Sequence, residues 1–297
     1  MGTYAISGSA SGMGRETAHR LRGDGHTVIG VDVKDADIVA DLSTQRGRKE
    51  AADGVLAASG GKLEGAVLAA GLGPSPGRDR ARHIAQVNYL GVVELLVAWR
   101  PALAAAERAK VVVVSSNTST TVPAVPRRTV RALLAHDADK AVRSVRLLGP
   151  AAPTMMYAAS KIAVARWVRR HAVLPEWAGS GVRLNAIAPG AIMTPMLQEQ
   201  LSTPRQAKAV RSFPVPVGGF GDVRHMADWI CLMLSDSADF LCGSVVFVDG
   251  GTDAYFRADH WPKAFPAHRL LGYLRRFKGL GVGGAPAGGN RFVASSV

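Results

Sequence analysis

Short apolar runs alternate with longer stretches whose apolar residues recur at helical spacing over about the first 250 residues. The apolar runs predict strands at 3–7, 27–31, 37–40, 65–68, 110–114, 182–188 and 245–248. The periodic stretches between them predict helices at 14–22, 44–58, 82–106 and 157–173. Strict alternation of strands and helices predicts βαβ units, and therefore one doubly wound parallel α/β sheet with helices on both faces.

Two segments interrupt this alternation. Residues 121–153 carry apolar residues at helical spacing between Pro126 and Pro150, which predicts a helical insertion ahead of the last long helix. Its apolar positions are Val130, Leu133, Leu134, Val142, Val145 and Leu148. A lid over a site, an interface between subunits and a passive surface insertion all stay open for it. We predict one domain over 1–256 that contains the insertion, followed by an extension over 257–297.

The extension is basic and rich in glycine. Seven Lys or Arg against one acid, Asp259, give it a charge of +6 out of the chain's +13. Leu270, Leu271, Leu274 and Phe277 fall on one helical stripe, which predicts a basic amphipathic helix. Such a helix contacts either an anionic membrane surface or a neighbouring subunit. The glycine-rich end at 279–289 is predicted to be flexible.

Composition argues against several classes of protein. No run of about 18 consecutive apolar residues predicts an integral membrane segment, and no secretory signal opens the chain. Cys231 and Cys242 lie in apolar stretches, so we expect buried free thiols and a cytoplasmic protein. The eight His residues have no metal-ligand spacing, so no metal is expected. No base-reading motif accompanies the positive charge, so nucleic acid is not an expected partner.

A glycine loop joins the first predicted strand to the first predicted helix. Its residues are suited to a pyrophosphate, because glycines allow close backbone approach and a helix N-terminus offers free N–H groups; they are Gly8, Ser11, Gly12, Met13 and Gly14. Asp32 ends the second strand, where a carboxylate can accept hydrogen bonds from both ribose hydroxyls and repel a 2′-phosphate. A Rossmann-type site that prefers NAD over NADP is predicted, with Lys34 as the argument against that preference.

Tyr157 and Lys161 are spaced to lie one helical turn apart on the same face. A phenol has an ordinary pKa near 10, so it is a poor base at neutral pH. A nearby ammonium favours the phenolate, which can then take a proton from an alcohol or, as a phenol, return one to a ketone. The pair alone is common on helix surfaces.

In combination, these motifs resemble the short-chain dehydrogenase/reductase family. The matching positions occur in the family's order between about residues 3 and 251, and they are Gly8, Gly12, Gly14, Asp41, Leu42, Ala69, Ala70, Gly71, Asn88, Ser115, Ser116, Tyr157, Lys161, Pro189, Gly190 and Thr194. One departure is visible, since Leu68-Ala69 stands where the family often has Asn-Asn.

The resemblance implies roles for four catalytic residues. Tyr157 is the general acid/base, and Lys161 lowers its pKa while binding the nicotinamide ribose. Ser116 orients the carbonyl, with Ser115 as its close competitor, and Asn88 supports a proton relay. The resemblance also implies that Asp41 and Leu42 contact the adenine, that Ala70 and Gly71 line the cofactor site, and that Pro189, Gly190, Ile192 and Thr194 hold the nicotinamide end.

The insertion and the segments 31–36, 38–43, 70–74 and 249–254 most resemble a branch of the family that acts on 3α-hydroxysteroids and bulky carbonyl compounds. This implies an enzyme that interconverts a secondary alcohol and a ketone as a homodimer or homotetramer. The alternatives are a non-catalytic, dinucleotide-sensing protein on the same fold and peripheral membrane association through the extension.

Overall fold

A computed structural model describes residues 1–260 and 265–277 of the chain. Seven parallel strands form one sheet in the order β3-β2-β1-β4-β5-β6-β7. Their bounds are β1 Thr3–Ser7, β2 Thr27–Asp32, β3 Ile38–Val39, β4 Gly65–Leu68, β5 Lys110–Val114, β6 Arg183–Pro189 and β7 Val245–Val248. The chain therefore winds outward in both directions from β1 and β4, which confirms the doubly wound sheet.

Helices cover both faces of this sheet. In chain order they are α1 Gly12–Gly23, α2 Gln45–Ala58, α3 Arg80–Ala85, α4 Gly91–Ala104, α5 Thr118–Thr121, α6 Arg127–Leu134, α7 Ala138–Val145, α8 Ala152–His171, α9 Pro195–Ser202, α10 Pro204–Arg211, α11 Val223–Leu234, α12 Thr252–Arg257 and α13 Leu270–Phe277. One apolar core lies between the sheet and α2, α4 and α8, and a smaller one lies between the sheet and α1 and α11.

Alternating residues of β5 contribute to both cores. Val111 and Val113 of β5 contribute to the larger core, whereas Val112 and Val114 contribute to the smaller one. All five residues of β5 are buried, as expected of a parallel strand covered on both sides. The β-branched run that predicted this strand thus also places its carboxyl end, Ser115 and Ser116, at the edge where ligands bind in such sheets.

Three boundaries differ from the sequence prediction. The region predicted as one helix over 82–106 consists of α3, a π-helical turn at Gln86–Leu90, and α4. The helix predicted to begin at Tyr157 begins at Ala152. Its first turn contains Pro153, and a proline is tolerated there because the first N–H groups of a helix have no partner within it. The predicted third strand at 37–40 is only two residues long.

The insertion forms two helices that are part of the main core. Val130, Leu133, Ala141 and Val145 are buried in it, whereas Leu148, predicted on the same stripe, is 39% exposed. The Thr129 and Ser144 hydroxyls lie 2.6 Å apart and join α6 to α7. The insertion packs along α8, the helix that carries Tyr157 and Lys161.

The two cysteines are free, as predicted, but both are only partly buried. Among the described residues, the helical stretch Arg80–Ala104 is the one long and apolar enough to cross a membrane by length and composition. Because 67% of its apolar window is buried inside the domain, it serves as a core helix here. Helix α13 exposes Leu270, Leu271 and Leu274, and the predicted flexible end at 279–289 lies outside the described residues.

Candidate active site

A cavity of about 720 Å³ opens along the carboxyl ends of the strands. Every cofactor-binding residue predicted from the sequence lines it, and so do Ser116, Tyr157 and Lys161. The ends of β1 to β6 and the loops after them supply most of these residues, and α8 supplies Tyr157 and Lys161. The parallel sheet thus brings together positions far apart in the chain.

Close packing explains the glycines of the first loop. Gly8 has a φ of +76°, and a Cβ on it would lie 2.6 Å from the Ala70 nitrogen. A Cβ on Gly14 would lie 2.2 Å from the Gly8 carbonyl oxygen. Helix α1 then begins at Gly12 without a side-chain cap or an acidic residue in its first turn. Its free N–H groups and positive dipole end therefore suit the pyrophosphate of a dinucleotide.

Two carboxylates lie toward the predicted adenosine end of the cavity. Asp32 ends β2 and accepts hydrogen bonds from the backbone N–H groups of Ala10, at 3.0 Å, and Val33, at 2.7 Å. These bonds hold the Asp32 carboxylate beside the glycine loop. Asp41 accepts bonds from the backbone N–H and the hydroxyl of Ser43, at 2.8 and 2.9 Å. Lys34, which argued against an NAD preference, is exposed and does not line the cavity.

Lys161 is 5% exposed and lies close to Tyr157 in the wall of the cavity. Its Nζ is 5.8 Å from the centre of the Tyr157 ring and donates a 2.8 Å hydrogen bond to the Val114 carbonyl. Burial lowers the pKa of Lys161 to about 8. Burial also raises the pKa of Tyr157, while hydrogen bonding to Ser116 lowers it by less. In this arrangement the phenol therefore holds its proton at neutral pH.

The two serines after β5 have different surroundings. The Ser115 hydroxyl donates a 3.2 Å hydrogen bond to the Lys161 carbonyl, so it joins β5 to α8. The Ser116 hydroxyl accepts a 3.2 Å bond from the Thr118 N–H and interacts with Tyr157. Ser116 can donate its proton to a substrate oxygen, since Thr118 uses only its acceptor side. The geometry favours Ser116 over Ser115 as the residue that orients a carbonyl.

Asn88 is the one predicted catalytic residue that does not line the cavity. It is buried in the π-helical turn, where its Nδ2 donates to the Leu72 carbonyl at 3.0 Å and its Oδ1 accepts from the Leu72 N–H at 2.8 Å. A Cβ on Gly71 would lie 3.7 Å from Asn88 Oδ1 and 3.8 Å from Lys161 Nζ. Asn88 and Lys161 therefore face the same small space at Gly71.

The nicotinamide end is predicted beside the end of β6. A Cβ on Gly190 would lie 2.7 Å from the Asp249 Cα, so β6 and the chain after β7 pack closely there. Thr194 caps α9, because its hydroxyl accepts a 3.3 Å bond from the Leu197 N–H. Ile192 forms an isolated bridge with Gly221. These contacts place Ile192 and Thr194 on a short loop in the cavity wall.

The sequence prediction missed two groups of residues. Asn117, the neighbour of Ser116, donates to the Asp249 carboxylate at 3.4 Å, and that carboxylate also accepts from the N–H groups of Gly251 and Asp253. No local pattern could indicate a contact across 132 positions. The cavity lining also includes five apolar residues outside the predicted site, Val122, Met196, Leu197, Val210 and Phe213. In the described residues, no three His, Cys, Asp or Glu side chains are grouped so as to hold a metal.

Comparisons with known proteins identify the family. The chain is 38% identical to the 3-alpha-hydroxysteroid dehydrogenase/carbonyl reductase of Comamonas testosteroni, over 86% of this chain and 98% of that protein. The chain belongs to the short-chain dehydrogenase/reductase family. A family model described as Enoyl-(Acyl carrier protein) reductase matches residues 141–253. Membership confirms the predicted resemblance and makes the protein an oxidoreductase that uses NAD or NADP.

Solved structures agree with the observed fold. The 3-alpha-hydroxysteroid dehydrogenase from Pseudomonas sp. B-0831, complexed with NADH, has a TM-score of 0.81 and 41% identity, and the match covers 87% of this chain and 100% of that one. The ligand-free aldohexose dehydrogenase of Thermoplasma acidophilum has a TM-score of 0.66 at 21% identity, covering 89% and 97%. The second match shows only that the two proteins share a fold, because substrates differ widely within one fold.

Proposed function

We propose that this protein interconverts a secondary alcohol and a ketone with NAD as its cofactor. The observation that carries the proposal is the convergence of Tyr157, Ser116 and Lys161 on one wall of the cavity, with the glycine loop and Asp32 along the same cavity. Tyr157 and Ser116 line the same part of the cavity and interact with each other, so both hydroxyls can contact one substrate oxygen. This combination supports proton transfer to and from that oxygen.

Each residue has a separate task in this mechanism. Ser116 donates a hydrogen bond to the substrate oxygen and fixes its orientation. Tyr157 gives its proton to that oxygen during ketone reduction and takes it back during alcohol oxidation. The nicotinamide, when bound, supplies or accepts the hydride at the substrate carbon. Lys161 places positive charge beside the phenol and thereby favours its ionised form. Asn88, across the space at Gly71, connects Lys161 to a water-mediated proton path.

The preference for NAD rests on Asp32. Its carboxylate is held at the end of β2 by two backbone N–H groups and can accept hydrogen bonds from a ribose. A 2′-phosphate at the same place would bring two negative groups together. The structural relative from Pseudomonas contains NADH, which supports the same choice for this chain.

The substrate class rests on the other end of the cavity. The cavity is lined there by Val122 of the insertion and by apolar residues of α9 and α10. An apolar lining of this kind favours a large apolar substrate. The two relatives named for 3-alpha-hydroxysteroid dehydrogenase activity support the same class. We therefore propose a 3α-hydroxysteroid or another bulky carbonyl compound as substrate.

Replacement of Tyr157 by Phe tests the mechanism. We expect the turnover number to fall by about 10²- to 10⁴-fold, because the variant lacks the group that transfers the proton. NADH binding, followed by fluorescence, should change little, since Tyr157→Phe removes one oxygen from the cavity wall. Tyr255→Phe is the control, because Tyr255 is 67% exposed and lies outside the cavity lining. Equal activity in Tyr157→Phe and wild type would refute the role of Tyr157. NADH binding by the wild type without any turnover of hydroxysteroids and secondary alcohols would favour the dinucleotide-sensing alternative.

Three further properties complete the proposal. The free cysteines support a reducing, cytoplasmic location. A homodimer or homotetramer is proposed from the family resemblance, and no nucleic-acid partner is expected. The exposed Leu270, Leu271 and Leu274 of α13, in a basic extension, support a weak contact with an anionic membrane surface.

A further inference from the structure

Arg48 is a buried arginine that forms hydrogen bonds with three different parts of the fold. It lies near the start of α2, and its side chain is 6% exposed. Its Nε donates a 2.7 Å hydrogen bond to the Glu94 carboxylate on α4. Its Nη1 donates to the Leu42 carbonyl at 3.2 Å and to the Gln86 side-chain oxygen at 2.9 Å. A buried guanidinium is costly unless it is paired and hydrogen-bonded, so these bonds fix both the arginine and the groups that accept them.

The Leu42 carbonyl belongs to the loop at the predicted adenosine end of the cavity. Leu42 and its neighbour Asp41 both line the cavity. The loop packs tightly on α2, since a Cβ on Gly47 would lie 2.1 Å from the Asp41 carbonyl oxygen. The N–H and the hydroxyl of Thr44 donate to that same oxygen, at 3.1 and 3.0 Å. The bond from Arg48 adds the next carbonyl of the loop to these attachments.

The Gln86 side chain belongs to the π-helical turn, of which it is the first residue. Val87, the second residue of the turn, lines the cavity together with Leu42. A Cβ on Gly91, directly after the turn, would lie 3.3 Å from the Leu42 Cβ. The turn and the loop are therefore neighbours. Because π-helical turns are rare and occur often at functional sites, the bonds that Arg48 makes to both segments join two parts of the cavity wall.

Glu94 supplies the negative charge that this buried cation needs. It lies in the first turn of α4, and its side chain is 38% exposed. A lysine could not take the place of Arg48, because a single ammonium lacks the planar fork of donors that serves acceptors on three segments at once. The arrangement thus depends on an arginine, as a positioning role requires.

We infer that Arg48 is a positioning residue for the adenosine half of the cofactor. It holds the Leu42 backbone at a fixed separation from the π-helical turn, so this part of the cavity is formed before the dinucleotide binds. A preformed site binds more tightly, because binding does not have to order the segments that surround the ligand. Arg48 does not line the cavity, so it acts through Leu42 and Val87. The inference rests on the adenine contact proposed for Leu42.

Binding of the two halves of the cofactor to Arg48→Met tests this role. Calorimetric titration with ADP-ribose measures the adenosine half, and fluorescence titration with reduced nicotinamide mononucleotide measures the other half. We expect the Kd for ADP-ribose to rise about five- to tenfold, the effect of about one lost hydrogen bond. Arg48→Lys should show a similar loss, because it keeps the charge without the fork. The Kd for reduced nicotinamide mononucleotide should stay within about twofold of wild type, since distant sites without shared partners are nearly independent.

Two control variants separate positioning from stability alone. Arg46→Met makes the same change on α2 at a side chain that is 88% exposed, and it should bind ADP-ribose as the wild type does. Leu133→Ala removes a fully buried side chain outside the cavity lining, so it should lower stability without changing that Kd. Wild-type affinity for ADP-ribose in Arg48→Met would overturn the inference. An equal loss of affinity in Leu133→Ala, or for reduced nicotinamide mononucleotide, would overturn it as well.

Gln86→Met provides the test if Arg48→Met does not fold. This variant keeps the ion pair between Arg48 and Glu94 and removes only the acceptor on the π-helical turn. The Kd for ADP-ribose should rise about threefold, and a wild-type value would contradict the inference. Because these titrations need no turnover, a failure of the proposed reaction is recognised separately, as a wild type that binds ADP-ribose but converts no alcohol or ketone.

Discussion

Lys161 carries an ionisable group at a place where water scarcely reaches it. Its ammonium has one partner among the hydrogen bonds of the described chain, the Val114 carbonyl at 2.8 Å, and burial lowers its pKa from 10.5 to about 8. The sequence predicted that Lys161 lowers the pKa of Tyr157. In the structure the larger influence on Tyr157 is burial, which raises its pKa. The predicted influence of Lys161 therefore stays a proposal about the enzyme with its cofactor bound.

Lys161→Met should make the protein more stable while it abolishes activity. Below pH 8 the wild type must keep a buried ammonium in the folded state, so the variant should gain about 1–3 kcal/mol in the free energy of unfolding at pH 7. Between pH 8 and 10.5 the unfolded chain binds the proton that the folded state has lost, so wild-type stability rises with pH. The gain of the variant should shrink over that range.

Urea unfolding at pH 7 and at pH 10 measures this difference. Lys49→Met is the control, because the Lys49 side chain is 75% exposed and its replacement should show no comparable pH trend. A variant less stable than wild type at pH 7 would contradict the argument from burial.

Asp32→Ala should weaken the discrimination between the two cofactors. Loss of the carboxylate removes a charge-assisted hydrogen bond to the ribose, so we expect NADH to bind about tenfold to a hundredfold more weakly. NADPH should lose less, because the group that repels its phosphate is gone. Dissociation constants for both cofactors measure the effect, with the exposed Asp24→Ala as control. A wild type that already prefers NADPH would refute the assignment of Asp32.

Helix α8 and the insertion behave as one packed element. The sequence predicted helices in the insertion from apolar spacing alone, and α6 and α7 confirm them. It left a lid, a subunit interface and a passive surface insertion open, because periodicity indicates an apolar face without indicating what covers it. The structure shows that the larger core covers Leu133 and Val145 of that face.

Leu133→Ala should therefore destabilise the whole domain. Leu133 is fully buried, and replacement of such a leucine by alanine costs about 2–5 kcal/mol. Leu147→Ala makes the same chemical change in the insertion at a residue that is 88% exposed, and it should alter stability by less than about 0.5 kcal/mol. Chemical denaturation of both variants gives the comparison. Similar stability of the two would indicate that the insertion unfolds independently of the domain.

Local irregularities of the helices could not be predicted from the sequence. The π-helical turn at Gln86–Leu90 follows a pattern that fits an ordinary helix, so only the structure reveals it. The turn places Asn88 where its side chain bonds with both backbone groups of Leu72. The start of α8 was misplaced because Pro153 resembles a helix breaker, although a first-turn proline favours helix initiation.

At the scale of the whole molecule, the described part of the extension leaves Leu270, Leu271 and Leu274 exposed. Removal of residues 261–297 leaves every residue that lines the cavity in place. We expect the shortened chain to bind NADH as the full chain does and to lose sedimentation with vesicles of anionic lipid, because α13 and +6 of the chain's net charge of +13 are gone. Vesicles of zwitterionic lipid provide the control. Unchanged sedimentation of the shortened chain would remove the membrane proposal.

The sheet and most of the site could be predicted because they depend on local signals. Apolar runs mark the strands, and parallel strands bring their carboxyl ends to one edge, so Gly8, Asp32 and Ser116 had to lie along the same edge of the sheet. The contact of Asn117 with Asp249 depends on the exact distance between β5 and the end of β7. Sequence spacing carries no information about such a distance.

The contact between Asn117 and Asp249 has a consequence for protein synthesis. The glycine loop leaves the ribosome first. The loop at Ser116 and the chain at Gly190 can pack against Asp249 only after that residue has been synthesised. A nascent chain that ends before β7 has the residues for dinucleotide binding and proton transfer but lacks the strand that closes the sheet beside β6. We therefore expect cofactor binding, and the stabilisation that it gives the folded chain, to become complete only late in translation.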